Sequence, residues 1–133
     1  MNPRIPWSFR YRARLHRVVD GDTFDLMLSH GVGDYRLLRV RLRGVDTGPA
    51  RSPEGKAATA WVTQWLTDHA DPDGVLIVQT YKDTTEAHGR FLADITGADG
   101  ASLAADLVAS GHGLPWDGKG AHPKAPASPV QGV

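Results

Sequence analysis

Strict alternation of apolar and polar side chains near the N-terminus is the strongest constraint on what this chain can fold into. Phe9, Tyr11, Ala13 and Leu15 alternate with Arg10, Arg12, Arg14 and His16. A period of two puts one set on a buried face and the other in water, as in a strand with one wet side. Val18 and Val19 carry this strand to an Asp20-Gly21 turn, and Phe24, Leu26 and Leu28 then resume the alternation. Two such runs joined by a tight Asp-Gly turn read as a hairpin. Beyond the turn cluster His30-Gly31-Val32-Gly33-Asp34, Leu38, Val40 and Leu42 make a third core face. Arg39, Arg41 and Arg43 share the opposite face of that strand.

The pattern then changes period. Ser52 suits a helix N-cap, Pro53 the first helical position and Glu54 the positive end of the helix dipole. Ala58, Trp61, Val62, Trp65, Leu66 and His69 recur at helical spacing, which predicts a helix ending near Ala70, with Trp61 and Trp65 as core anchors. Val75 to Thr80 reads as a strand, Lys82 to His88 as a polar loop and Phe91 to Ile95 as another strand. Ser102 to Ser110 reads as a second helix, stopped by Gly111. Three strands, a helix, two strands and a helix suggest a small closed five-stranded barrel of the OB type with two helices. Residues 1–8 form a short lead-in, 9–116 the folded domain, and the Gly-, Pro- and Ala-rich stretch 117–133 a flexible tail.

A chain of 133 residues is of single-domain size and long enough to bury a core without covalent staples. It has no cysteine, which rules out disulfides and thiolate metal sites. Met1 to Trp7 carries no long apolar run, and nothing approaches a membrane span, so the expected setting is the cell interior or a virus particle. Charge is balanced overall but unevenly placed: residues 1–46 hold nine arginines against five aspartates, and residues 47–133 hold six Lys or Arg against ten Asp or Glu. A basic half points to a polyanionic partner, or is ordinary surface charge.

The chemistry-bearing residues cluster around two turns. Val19-Asp20-Gly21-Asp22-Thr23 and Arg41-Leu42-Arg43-Gly44-Val45-Asp46-Thr47 place two carboxylates and an arginine where neighbouring strands bring them together. Hard divalent cations take oxygen ligands, and the planar guanidinium fork suits a phosphate. With Gly89-Arg90-Phe91 further on, the set reads as a metal-assisted phosphodiester site; plain turn chemistry is the alternative for Asp20 and Asp22, and a solvated strand face for Arg41. These segments, together with Pro53-Glu54-Gly55-Lys56-Ala57, His88-Gly89-Arg90-Phe91-Leu92-Ala93-Asp94-Ile95 and Leu107-Val108-Ala109-Ser110-Gly111, resemble the staphylococcal nuclease (thermonuclease-like) family in order and rough spacing over residues 10–113. The resemblance implies an OB-fold barrel and Ca²⁺-dependent cleavage of single-stranded DNA or RNA. It implies that Asp22 and Asp46, the latter at the end of the third strand, ligate the metal with the backbone carbonyl of Thr47. Arg41 and Arg90 would contact the scissile phosphate. Asp20 is expected to support Asp22 rather than to ligate. Arg39, Arg43 and His88 are further candidates for nucleic-acid contact, as is the Arg10, Arg12, Arg14 row.

The chain also departs from the family pattern. The family reads Asp-Thr-Pro-Glu, whose Glu is the proposed general base; here the run is Asp46-Thr47-Gly48-Pro49-Ala50, with no carboxylate. Glu54 is the next carboxylate and the candidate surrogate, although it matches a non-catalytic glutamate at the helix start. The loop into the helix is shorter than in the secreted members, and the family's third helix is missing. Two readings follow: a Ca²⁺-dependent nuclease slowed by loss of its base, or an inactive nucleic-acid-binding or structural module, for instance one encoded by a phage.

Overall fold

The alternating runs become the walls of a closed barrel. The computed structural model describes residues 9–49, 51–82 and 91–116. The lead-in 1–8, the polar loop through His88, Arg90 and the tail 117–133 lie outside the described residues. The elements are β1 (Phe9–Asp20), β2 (Thr23–Ser29), β3 (Tyr35–Leu42), β4 (Val45–Asp46), α1 (Pro53–His69), β5 (Val75–Lys82), β6 (Phe91–Thr96), α2 (Leu103–Ala109) and β7 (Leu114–Pro115). The barrel runs β1-β2-β3-β6-β5 and closes on β1, while β4 and β7 form a separate two-stranded ribbon. This is the OB-like, five-stranded mixed barrel with two helices expected from the order of elements.

Strand β1 closes the barrel by serving two partners. Its first half pairs with β5 (Phe9↔Thr80 through Arg14↔Val75) and its second half with β2 (Ala13↔Leu28 through Asp20↔Thr23). Register shifts between Leu15 and Arg17 and between Val18 and Asp20 bend the strand to do so, the ordinary effect of an extra residue in a ladder. Closure on the other side is short and parallel: Val40↔Phe91, Arg41↔Leu92 and Leu42↔Ala93. Phe24, Leu26, Val40, Leu42, Leu76, Val78 and Ile95 fill the interior, and Arg10, Arg12 and Arg14 of β1 and Arg39 and Arg41 of β3 stand on the outer face.

Both helices begin as their sequences require. Ser52 Oγ accepts from Gly55 N at 2.9 Å at the start of α1, and Ser102 Oγ from Ala105 N at 3.3 Å at the start of α2. Helix α1 buries Ala58, Val62, Trp65 and Leu66. Its far end is tied down by the turn after β6: Ala98 N donates to His69 O at 2.8 Å. Nearby, the His69 ring stacks on Trp65 with centroids 4.3 Å apart, and its Nδ1 lies 2.7 Å from Asp99. Trp65 also donates from Nε1 to Asp106 Oδ2 at 2.8 Å, pinning α1 to α2. Trp61, the second expected anchor, is half-buried against the same core.

One placement differs from the family-based expectation. Strand β3 stops at Leu42, so Asp46 is not at its end. Gly44 has φ +83°, a left-handed conformation that favours glycine, and it turns the chain out of the barrel ladder. Val45 and Asp46 then pair with Pro115 and Leu114 of β7. Among the described residues, no helix is long and apolar enough to cross a membrane.

Removing the Trp65 indole donor isolates the mechanical role of the α1–α2 tie. Trp65→Phe is expected to cost about 1–3 kcal/mol, because it leaves a half-buried Asp106 carboxylate without that donor. Adding Asp106→Ala should recover part of the loss, and urea denaturation of the single and double variants measures both.

Candidate functional site

The Asp20-Gly21-Asp22 turn, the end of β3 and the β4 ribbon meet at one mouth of the barrel. Asp22 sits in the β1–β2 turn and is anchored on every side. Its backbone N–H donates to Asp20 Oδ1 at 3.1 Å, and its carbonyl accepts from Leu42 N at 2.7 Å. Its carboxylate accepts from Thr23 Oγ1 at 3.1 Å and from Thr47 N at 3.3 Å. Asp46 Oδ1 accepts from Gly48 N at 3.4 Å. The two β-turn segments are therefore stitched to each other through the Asp22 carboxylate itself.

Gly21 permits this approach. A Cβ there would lie 2.8 Å from Thr47 Oγ1 and 2.9 Å from the Ala58 Cβ of α1, closer than nonbonded atoms tolerate. The glycine is needed for close packing, since its φ is not positive. Thr47 is buried, and its Oγ1 has no hydrogen-bond partner among the described residues.

Arg41 joins the two carboxylates. Its Nη2 lies 3.5 Å from Asp22 Oδ2 and 3.7 Å from Asp46 Oδ1, and the three side chains are only 16, 7 and 6% exposed, in the order Arg41, Asp22, Asp46. Both distances exceed the 2.7–2.9 Å of a tight charge-assisted hydrogen bond. The flanking arginines are held differently. Arg39 grips Asp25 through two bonds of 2.7 and 3.1 Å, and Arg43 grips Asp94 at 3.1 and 2.8 Å. Arg43 also lies over the Tyr81 ring, 4.3 Å from its centre. Arg39 and Arg43, grouped with Arg41 by their shared face, are thus engaged in structural pairs outside the mouth. Arg41 is held loosely between two acids.

Trp116 completes the surround. The Arg41 guanidinium carbon lies 4.3 Å from the centre of its ring, within the range for a cation–π contact. Trp116 N donates to Gly44 O at 2.9 Å, so the ribbon after α2 carries the indole to the site. No local pattern signals this, because the ribbon is two residues long on each side.

Asp20 feels the acidic crowd. Burial first, then a hydrogen bond shared with the Asp22 carboxyl and repulsion from its charge, push its carboxyl up to about 6. The folded protein holds this proton longer than the unfolded chain, so Asp20's contribution to stability falls as pH rises from the usual carboxylate range to about 6.

The donor set suits a hard cation: two carboxylates and the Thr47 backbone carbonyl, all oxygen. The three acids of the mouth outnumber its one described guanidinium. Among the described residues, no group of three or more His, Cys, Asp or Glu side chains makes a metal-type cluster. A two-carboxylate set of this kind holds an ion with the help of waters and substrate phosphates. Glu54 is exposed in the first turn of α1 and makes no hydrogen bond or ion pair with other described residues. Arg90 and His88 lie outside the described residues. Compared with known proteins, the chain matches no family model and no curated protein.

Gly21→Ala tests the packing that sets this geometry. It is expected to cost about 1–3 kcal/mol, as overpacking does, measured by chemical denaturation. A loss near zero would show that Thr47 and α1 can give way.

Proposed function

We propose that this chain is a metal-assisted phosphodiesterase acting on single-stranded DNA or RNA, of the thermonuclease type that its motifs resemble. The observation that supports this most is the convergence of Asp22 and Asp46 on one nitrogen of Arg41 in a largely buried mouth. Asp22, Asp46 and the Thr47 carbonyl would hold Ca²⁺, which when bound polarises a phosphate oxygen and makes a bound water more acidic. Arg41, already loosened from tight pairing, can turn one face of its fork to a phosphate oxygen. There it would stabilise the negative charge that grows as water attacks phosphorus. Trp116 limits how far that guanidinium can swing. Burial raises the worth of each such interaction, because little water screens it. Arg90 is the second arginine of this reading.

A specific feature favours the alternative of a binding module without turnover. No carboxylate stands at positions 48 to 50, and Glu54 makes no hydrogen bond or ion pair with the described residues of the mouth. A positioned general base contributes about 10²–10⁴ in rate, so the expected nuclease is a slow one.

Purified protein should digest single-stranded DNA in Ca²⁺ and stop in EDTA. Arg41→Ala should lower kcat by about 10²–10³ while leaving the circular dichroism spectrum unchanged. Independently of turnover, calorimetry should find weak Ca²⁺ binding, with Kd on the order of 10⁻⁴ M or weaker, abolished by Asp22→Ala. Salt-dependent binding of the strand with no cleavage under any metal would favour the binding module, and Pro49→Glu would then be the variant expected to restore activity. Cleavage that persists in chelator would remove the metal reading.

A further inference from the structure

The outer face of β2 and β3 continues from the mouth into a second feature. The cross-strand pairs Thr23↔Arg41, Asp25↔Arg39, Met27↔Leu37 and Ser29↔Tyr35 follow one another along that face. Six residues of strand span about 20 Å. At the far end lies a groove of about 440 Å³, lined by Arg12, Arg14, Met27, Ser29, Tyr35 and Val75. The register explains the lining, because Arg14 pairs with Met27 on one side and with Val75 on the other.

Two properties set this groove apart. Among the described residues no acidic one lines it, and Arg12 and Arg14 make no hydrogen bond or ion pair with other described residues. Arg39 and Arg43, by contrast, are each gripped by a carboxylate. The groove also has an exposed apolar side: Tyr35 is 67% exposed, Met27 36% and the adjoining Leu37 49%. Large apolar side chains left in water beside cations that no described carboxylate pairs suit a ligand that is anionic and carries flat apolar rings.

We infer that this groove is a second, distal binding site for single-stranded nucleic acid, which the strand reaches by running along β2–β3 from the Asp22–Arg41–Asp46 mouth. The inference rests on the nucleic-acid reading above and extends it to a stretch of strand rather than one phosphodiester. Arg12 and Arg14, two residues apart on one strand, set their side chains about 7 Å apart, a spacing that successive phosphates of an extended strand can meet. Tyr35 and Met27 offer a surface on which unpaired bases stack. A duplex would present phosphates to the arginines but no base faces to Tyr35, and this favours the single strand.

The test is fluorescence anisotropy with a fluorescein-labelled twelve-residue oligo(dT) in EDTA, where binding is read without cleavage. Arg12→Ala with Arg14→Ala should weaken binding about tenfold and reduce the log–log salt slope by about 1.4, the value for two phosphate contacts on a single strand. The double Lys variant should retain most of that slope. Tyr35→Ala should weaken binding about tenfold with the slope unchanged, and Tyr35→Phe should not. All these side chains are exposed, and thermal denaturation checks each variant for folding. The inference is overturned by absence of binding to the parent protein, or by variants that bind like the parent. It is also overturned by a duplex or a twelve-residue polyglutamate that binds as tightly as oligo(dT). The two readings separate cleanly. Loss of the groove effects with Ca²⁺-dependent, Arg41-dependent cleavage intact removes this site alone. Groove effects that persist without any cleavage remove the nuclease reading alone.

Discussion

Two buried carboxylates held within reach of one guanidinium nitrogen form the constraint around which this barrel mouth is organised. Like charges repel strongly where water is scarce, and burying them is costly unless each finds partners. The chain meets that demand with backbone N–H groups and one arginine. Thr47 N reaches Asp22, Gly48 N reaches Asp46, and Arg41 stands against both. Those donors are in place only because Gly21 leaves room for Thr47 and Ala58. Burial first, and then the neighbouring Asp22, push the Asp20 carboxyl upward at the same turn.

The rest of the fold serves to fix the directions of these groups. Three parallel pairs between β3 and β6 hold Arg41 in register on the outer face, while Val40 and Leu42 on either side of it go into the core. Outer-face arginines on the same strand are neutralised locally, Arg39 by the cross-strand Asp25 and Arg43 by Asp94. This leaves Arg41 with contacts that are electrostatically favourable but long. A cation held that way retains freedom to meet a phosphate, whereas a bidentate pair must first be broken. The β4–β7 ribbon adds Trp116 over the guanidinium, tying the C-terminal end of the described chain to the mouth.

Most of the fold was legible in the sequence because it follows from local rules. Period-two runs gave β1, β2 and β3, the Ser52-Pro53 start gave α1, and Ser102 with Gly111 bracketed α2. Most strands and helices of the structure fall within a residue or two of those expectations, although β3 begins at Tyr35, ahead of the Leu38 run, and Lys82 ends β5 rather than opening the loop. The exception is instructive: Asp46 belongs to a ribbon of two residues on each side, too short for any periodicity to register. The place of Trp116 is illegible for the same reason, since it depends on a backbone partner, Gly44, some seventy residues away. Grouping Arg39, Arg41 and Arg43 by their shared face was sound as far as it went. Spacing along one strand cannot reveal which of them has a carboxylate opposite.

The amino-acid sequence by itself determined the barrel's strands, its helix boundaries and the thiolate-free character of any cation site. Those properties depend on neighbours within a few residues, or on composition. The tertiary structure alone decided that Asp22 and Asp46 share Arg41, and that Arg12 and Arg14 border a groove with no carboxylate among its described lining residues. Each of these is a contact between segments whose separation along the chain carries no information about their separation in space, and only barrel closure sets that distance.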